Sequence, residues 1–426
     1  MRVACTALAG ALLALTARAG IKEGGPDKLA DTKTIADVLR ESRKRSVHII
    51  FVHGMRATQP GSSEKFRNAL CQYVDGGCRL TDTIPPGAAP KIRFYLGTFP
   101  DKASIHGQKI WNNEKEWLAS RPFVDRYVYS RPAGQQIIVD EVNWWPLLFP
   151  LKCRSLLVPD ADLSGPDKTD LKFCSLSNDP YYPWINESDL GVILDRRPKS
   201  GGGAWLNTAL KQQIMNWGLA DAVIAVGPMR VYIRRAMNAA FDYARKGGGQ
   251  SQDDQEFVVI SESLGSFAVL DAFESEGQAS RAAAANAESM AVREVLSRAY
   301  YLYFFANQFA MLDLARVDGL DVNSKLLDFA PDSPSQSISP FSALQDWARQ
   351  KPDEFTATGK VRQVVAFSDP SDILTFYVPA IEGAKVVNLY DRNGFNWFGL
   401  FENPVTAHTG HSGNKQVLKK LFGKRP

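Results

Sequence analysis

The chain has 426 residues, 45% hydrophobic and 11% aromatic, with 50 Lys and Arg against 46 Asp and Glu, a formal charge of +4. That composition excludes a disordered chain, a collagen-like repeat and a small disulfide-stapled scaffold, and it is enough to bury a large core. No block of five or six like charges occurs, so nucleic acid is not an expected partner, and the basic pairs Lys419-Lys420 and Lys424-Arg425 read as a solvated helix end.

Taken in chain order, residues 1–19 read as a signal peptide. Arg2 precedes an apolar stretch from Val3 to Thr16, and Ala17-Arg18-Ala19 fits a small-x-small cleavage pattern. The expected location is therefore secreted or periplasmic. Residues 20–45 form an N-terminal segment ahead of a main domain spanning 46–426. The first strong strand signal, Val47 to Val52, runs directly into His53-Gly54-Met55. Without Cys5 four cysteines remain, and an even number in an exported chain suggests two bridges, most simply the local pairs Cys71–Cys78 and Cys153–Cys174.

A further strand is expected at Ile92 to Leu96. The stretch from Gly54 to Ser263 is far longer than two strands, two helices and their loops need, so residues from about 96 to 203 are expected to form an insertion over the active end of a sheet. This insertion contains Trp144-Trp145-Pro146-Leu147-Leu148-Phe149-Pro150. The run reads as a core strand with paired tryptophans, with a lipid-facing lid making transient membrane-surface contact as the alternative. The Gly201-Gly202-Gly203 break closes the insertion, and Leu206 to Asn216 has helical spacing.

Phe257 to Ile260 is the next strand, running into Ser261-Glu262-Ser263-Leu264-Gly265 and a helix from Ser266 to Phe273. Strands follow at Tyr300 to Phe305, Val361 to Phe367 and Lys385 to Leu389, with Pro331 to Pro340 as a surface connector. Strands alternating with helices predict an α/β fold, a mostly parallel sheet with helices on both faces, and chemistry beyond the carboxyl ends of its strands. No stretch has the length and apolarity of a membrane-spanning helix. Glycine-rich nucleotide motifs and a Cys-x-x-Cys are absent, and the histidines form no ligand cluster in the sequence, so neither cofactor nor metal is expected.

A serine hydroxyl is a weak nucleophile that needs a turn to expose it, a base, and donors for the oxyanion. The strand–turn–helix around Ser263 supplies the turn, with the small residues Ser261 and Gly265 two positions to either side. On these residues the chain resembles the α/β-hydrolase superfamily in its serine esterase and lipase branch, with Ser261 replacing the first glycine of the usual Gly-x-Ser-x-Gly elbow. The resemblance implies an α/β-hydrolase-like sheet with a cap or lid insertion and Ser263 as nucleophile. His53-Gly54-Met55 looks like the family's oxyanion loop, implying the backbone N–H groups of Met55 and Leu264 as oxyanion donors. Family order places the acid and then the histidine after the serine, which leaves His408 and His411. Asn403 to Gly410 resembles the Ala-His loop of lipase-like members and favours His408 as base. Asp372, where the loop after Val361–Phe367 turns back to apolar sequence, is preferred as acid to Asp369, which precedes Pro370 as a turn-initiating residue does. The implied activity is hydrolysis of a small-molecule or lipid carboxylic ester through an acyl-enzyme. An acyltransferase, thioesterase or peptidase using the same triad, and an inactive binding protein on the same scaffold, are the alternatives. Insertion residues between Leu96 and Gly203 are expected to wall the substrate pocket.

Overall fold

Runs of β-branched and aromatic residues make strands that can be buried on both faces, and among the described residues they assemble into a nine-stranded sheet. In this computed structural model the described residues are 22–24, 27–42, 44–54, 61–74, 77–82, 93–105, 108–132, 134–153, 218–247, 254–281, 291–313, 339–350, 360–394 and 404–423. The strands are β1 (Lys22–Gly24), β2 (Ser46–Val52), β3 (Arg79–Asp82), β4 (Phe123–Ser130), β5 (Gln136–Asn143), β6 (Gln255–Glu262), β7 (Tyr301–Phe305), β8 (Arg362–Ser368) and β9 (Ala384–Tyr390). Their spatial order is β1-β9-β8-β7-β6-β2-β5-β4-β3. From β9 through β5 every pairing is parallel, whereas β1 pairs antiparallel at one edge and the β3–β4 and β4–β5 pairings are antiparallel at the other.

Because successive side chains alternate across a strand, the sheet feeds two hydrophobic cores. Ile50, Val52, Phe257 and Val259 face one core, where they meet helices α3 (Arg230–Lys246), α4 (Leu264–Arg281), α5 (Ala291–Arg298) and α6 (Pro340–Arg349). Val47, Ile49, Phe51, Val258 and Ile260 face the other, against α1 (Ile35–Glu41), α2 (Glu64–Tyr73) and α8 (Lys415–Phe422). Helix α3 shows why it seats there: Ile233, Ala236, Met237, Ala240, Phe241 and Ala244 recur at helical spacing on one buried stripe. Its last turn carries Arg245 and Lys246, favourable beside the helix C-terminus. The short helix α7 (Pro404–Thr409) precedes α8. The α/β architecture expected from the alternating pattern is present.

Several expectations are corrected. Residues 93–96 are not a strand; Arg93 makes one isolated bridge to Phe123, and the backbone then leaves the sheet. Within the span expected as an insertion, β4 and β5 form a hairpin that extends the main sheet, so residues 123–143 belong to the core. The signal was present as two runs of β-branched and aromatic residues around Arg131-Pro132-Ala133-Gly134. Buried Asp125, Asp140 and Glu141 obscured it, and Arg126 compensates Asp140 with contacts of 2.6 and 2.9 Å. The Trp144–Pro150 run is buried, as its core reading expects, but it is not a strand. It forms a 3-10 turn at Trp145–Leu147 and a short helix at Phe149–Lys152, as its two prolines dictate.

Cys71 and Cys78 are joined, with α-carbons 4.9 Å apart, tying the end of α2 to the chain entering β3. Cys153 is also disulfide-bonded; Cys174, its expected partner, lies outside the described residues. So do the expected signal peptide, Met55, Gly201 to Gly203, the Leu206–Asn216 helix and most of the Pro331–Pro340 connector. Residues 154–200, part of the stretch from Leu96 to Gly203 expected to wall the substrate pocket, are likewise outside. Among the described residues no helix is long and apolar enough to cross a membrane.

Candidate active site

Parallel strands bring their carboxyl ends to one edge, and β2, β6, β7 and β8 all finish there. Strand β6 ends at Glu262 and α4 begins at Leu264, so Ser263 alone makes the turn. Its φ of 50° lies in the left-handed region, which costs an L-residue roughly 1–2 kcal/mol. The surroundings hold it there. The Ser263 N–H donates to the Phe305 carbonyl at 2.7 Å, and the Ser266 N–H donates to the Ser263 carbonyl at 3.1 Å. The next strand end repeats the arrangement, with Ala306 at φ 50° and its N–H donated to the Phe367 carbonyl at 2.9 Å.

Close packing around this turn explains its small residues. A β-carbon on Gly265 would lie 2.3 Å from the His53 carbonyl oxygen, and one on Gly54 would lie 2.6 Å from the Ser263 β-carbon. The β2 loop and the start of α4 therefore touch through bare backbone. Ser261, where the elbow motif has glycine, is fully buried, and its hydroxyl sits 2.8 Å from that of Ser266. The departure from the motif is thus satisfied internally. Alanine at Gly54 or Gly265 is expected to cost about 1–3 kcal/mol of stability, because backbone cannot yield as a flexible side chain does. Thermal unfolding of the two variants checks this, and an unchanged midpoint would refute the close approach.

Ser263 Oγ lies 2.7 Å from His408 Nε2, and His408 Nδ1 lies 2.7 Å from Asp372 Oδ2. His408 comes from α7, held from below by the Asn393 side-chain amide donating to the Ala407 carbonyl at 2.7 Å. Asp372 comes from the turn after β8. Its Oδ1 accepts the Leu374 N–H at 2.9 Å, and its Oδ2 also accepts the Thr375 hydroxyl. Burial pushes the Asp372 carboxyl up, but the hydrogen bond and charge of His408, with Thr375 and the Leu374 N–H, outweigh it and hold it below the usual carboxylate range. Leu264 opens α4, so its N–H is among those of the first turn that have no intrahelical carbonyl to bond.

The structure separates the alternatives. Asp369 does not reach His408; its oxygens accept the Ser371 N–H at 2.8 Å and the Asn393 N–H at 2.6 Å, so it caps the turn. His411 is fully buried and stacks on Phe305 with centroids 6.1 Å apart. Neither of its ring nitrogens has a hydrogen-bond partner, and burial pulls its pKa down to about 3 against the opposing charge of Asp372. A histidine that stays neutral in the fold but protonates when unfolded takes stability away as pH falls from its ordinary value near 6.5 toward 3. His411→Leu should therefore lose less stability than the parent between pH 7 and about pH 4.5. Equal losses in paired thermal melts would contradict this.

Sequence reading missed a second buried group beside Ser263. Glu141 on β5, His53 after β2 and Glu262 before Ser263 converge with Ser62 and Ser63 at the start of α2. Pairing across strands so far apart in the chain leaves no spacing to recognise. Among the described residues no group of three His, Cys, Asp or Glu side chains is arranged to hold a metal ion. No protein-family model, curated protein or solved structure matches this chain.

Proposed function

We propose that this chain is a serine hydrolase of the α/β-hydrolase type that cleaves carboxylic esters through an acyl-enzyme. The observation carrying this reading is the continuous contact from Ser263 Oγ to His408 Nε2 and from His408 Nδ1 to Asp372, at 2.7 Å each, on a serine held at positive φ between strand and helix. Few purely structural roles require a strained serine aimed at an imidazole that is itself oriented by a carboxylate.

In this reading His408 Nε2 takes the Ser263 proton as Oγ attacks the ester carbonyl, then returns it to the leaving alkoxide. Water enters by the same route in reverse and releases the acid. Asp372 keeps the Nδ1–H tautomer and stabilises the imidazolium without taking the proton. The Leu264 N–H, with that of Met55, receives the oxyanion, and removing such a donor costs about 3–4 kcal/mol of barrier. The Cys71–Cys78 disulfide and the disulfide-bonded Cys153 support an exported location. The substrate class is a small-molecule or lipid ester.

A fluorophosphonate probe tests the reading directly. Strong labelling of the full chain that disappears in Ser263→Ala supports it, whereas equal labelling of both, or of neither, overturns the nucleophile assignment. Relative turnover of p-nitrophenyl esters, acyl thioesters and peptides then separates an esterase from a thioesterase or peptidase with the same triad.

A further inference from the structure

The chain between β2 and α2 leaves the sheet at His53-Gly54 and returns at Gly61-Ser62-Ser63. Both ends meet one buried carboxylate. Glu141 accepts the N–H groups of Gly61 at 3.0 Å and Ser63 at 3.1 Å, and the Ser63 hydroxyl as well. The same carboxylate lies 3.3 Å from His53 Nε2. On its other side, His53 Nδ1 lies 3.7 Å from the carboxylate of Glu262, the residue immediately before the nucleophile. Ser62 Oγ closes the group at 2.7 Å from His53 Nε2 and 3.2 Å from Glu141. The His53 backbone is fixed independently, because the buried Trp144 indole N–H donates to its carbonyl at 2.7 Å.

We propose that His53 is a positioning residue, a cationic clamp that fastens the loop after β2 to Glu141 and, through Glu262, to the nucleophile elbow. Its catalytic consequence rests on the serine-hydrolase reading, in which that loop carries one oxyanion donor. Two carboxylates flank one imidazole, Glu141 3.3 Å from Nε2 and Glu262 3.7 Å from Nδ1, an arrangement that favours the doubly protonated, charged ring.

The electrostatic surroundings agree. Burial pushes His53 down, but the facing carboxylates of Glu141 and Glu262 raise its pKa to about 9. Burial alone would raise Glu141, yet His53 and Ser63 bring it down to about 2. The other groups facing this cluster are Asp125, Tyr127 and Tyr129 from β4 and Arg67 from α2. Burial, with the charge of Glu141, lifts Asp125 to about 7. Arg67 lies over the Tyr127 ring, donates to Ser63 Oγ at 2.9 Å and reaches the Tyr129 hydroxyl at 3.4 Å. Arg67 thus serves the α2 end, and His53 is the cation that reaches Glu262.

The sign of the pH effect follows. His53 has its pKa raised by folding, so the clamp is complete below the ordinary histidine value and is lost as pH rises through about 9. Deprotonation removes the donor facing one of the carboxylates and weakens the tie between His53 and the elbow. Displacements on the order of 1 Å at a reacting centre cost about 100-fold in rate.

The test measures the rate of fluorophosphonate labelling across alkaline pH for the full chain, His53→Gln and Glu262→Gln, with histidine ring titration by NMR alongside. The parent should show an alkaline fall with a midpoint near 9. His53→Gln should label about 100-fold more slowly and lose that fall. Glu262→Gln should move the midpoint about one unit toward acid, since one of two flanking charges is gone. Glu262 sits at the protein surface edge of the group with its side chain one-fifth exposed, so its variant decides the matter if His53→Gln does not fold. Labelling of His53→Gln within about twofold of the parent, with the alkaline fall intact, overturns the clamp. If the parent fails to label at all, the hydrolase reading fails, and the His53 ring titration still judges the clamp. A midpoint near 9 sustains it, and one near the ordinary histidine value overturns it.

Discussion

Ser263→Ala is expected to lower kcat by about 10⁶-fold while leaving the fold and KM nearly unchanged. The hydroxyl is the only part of the side chain lost, and its contact is to His408 Nε2 at 2.7 Å. An alanine β-carbon occupies the space already used by that of serine beside Gly54, so packing at the elbow is kept. Residues that act as a unit are not additive, so His408→Ala in the same background should add little beyond the single loss. Steady-state turnover of a p-nitrophenyl ester by the single and double variants measures this. A double variant that is slower by the product of the two single losses would show that the two side chains do not act on one proton.

Asp372→Asn should cost about 10⁴-fold in kcat, because an amide in its place presents an N–H to His408 Nδ1 and turns the ring to the wrong tautomer for accepting the serine proton. The carboxylate is well placed for this role, lying 2.7 Å from Nδ1 with its remaining acceptor capacity taken by Thr375 and the Leu374 N–H. Asp369→Asn is the informative comparison. Asp369 bonds to the Ser371 and Asn393 amides and not to His408, so its loss should lower the thermal midpoint and leave kcat within about tenfold of the parent. If Asp369→Asn instead shows the larger kinetic loss, the acid has been misassigned.

The contrast between these two aspartates shows what was legible before folding. Strand β6 and its turn could be read directly, since four apolar residues run into a small-x-Ser-x-Gly pentapeptide and then a helical repeat, all local in sequence. The order of Ser263, Asp372 and His408 along the chain came instead from the resemblance, and the parallel strands β6 and β8 bring the first two to one carboxyl edge. Asp369 and Asp372 both follow β8, and only the turn geometry, with the Asp372 N–H bonded to the Asp369 carbonyl at 3.0 Å, aims one of them at the imidazole. His408 and His411 differ likewise. Three residues apart, one faces Ser263 and the other is stacked on Phe305.

Local pattern, then, determined the α/β class and the strand–turn–helix at Ser263, because periodicity and turn chemistry act over a few residues, and the resemblance supplied the groups to serve it. Tertiary structure alone decided the rest. The β4–β5 hairpin joined the sheet despite three buried acids because Arg126 from the neighbouring strand neutralises Asp140, a pairing set by register across Arg126↔Asp140. The His53–Glu141–Glu262 group exists because β2 lies between β5 and β6, an adjacency of strands distant in the chain. Charge pairs buried between such strands carry no sequence period, so their partners appear only once the sheet order is known.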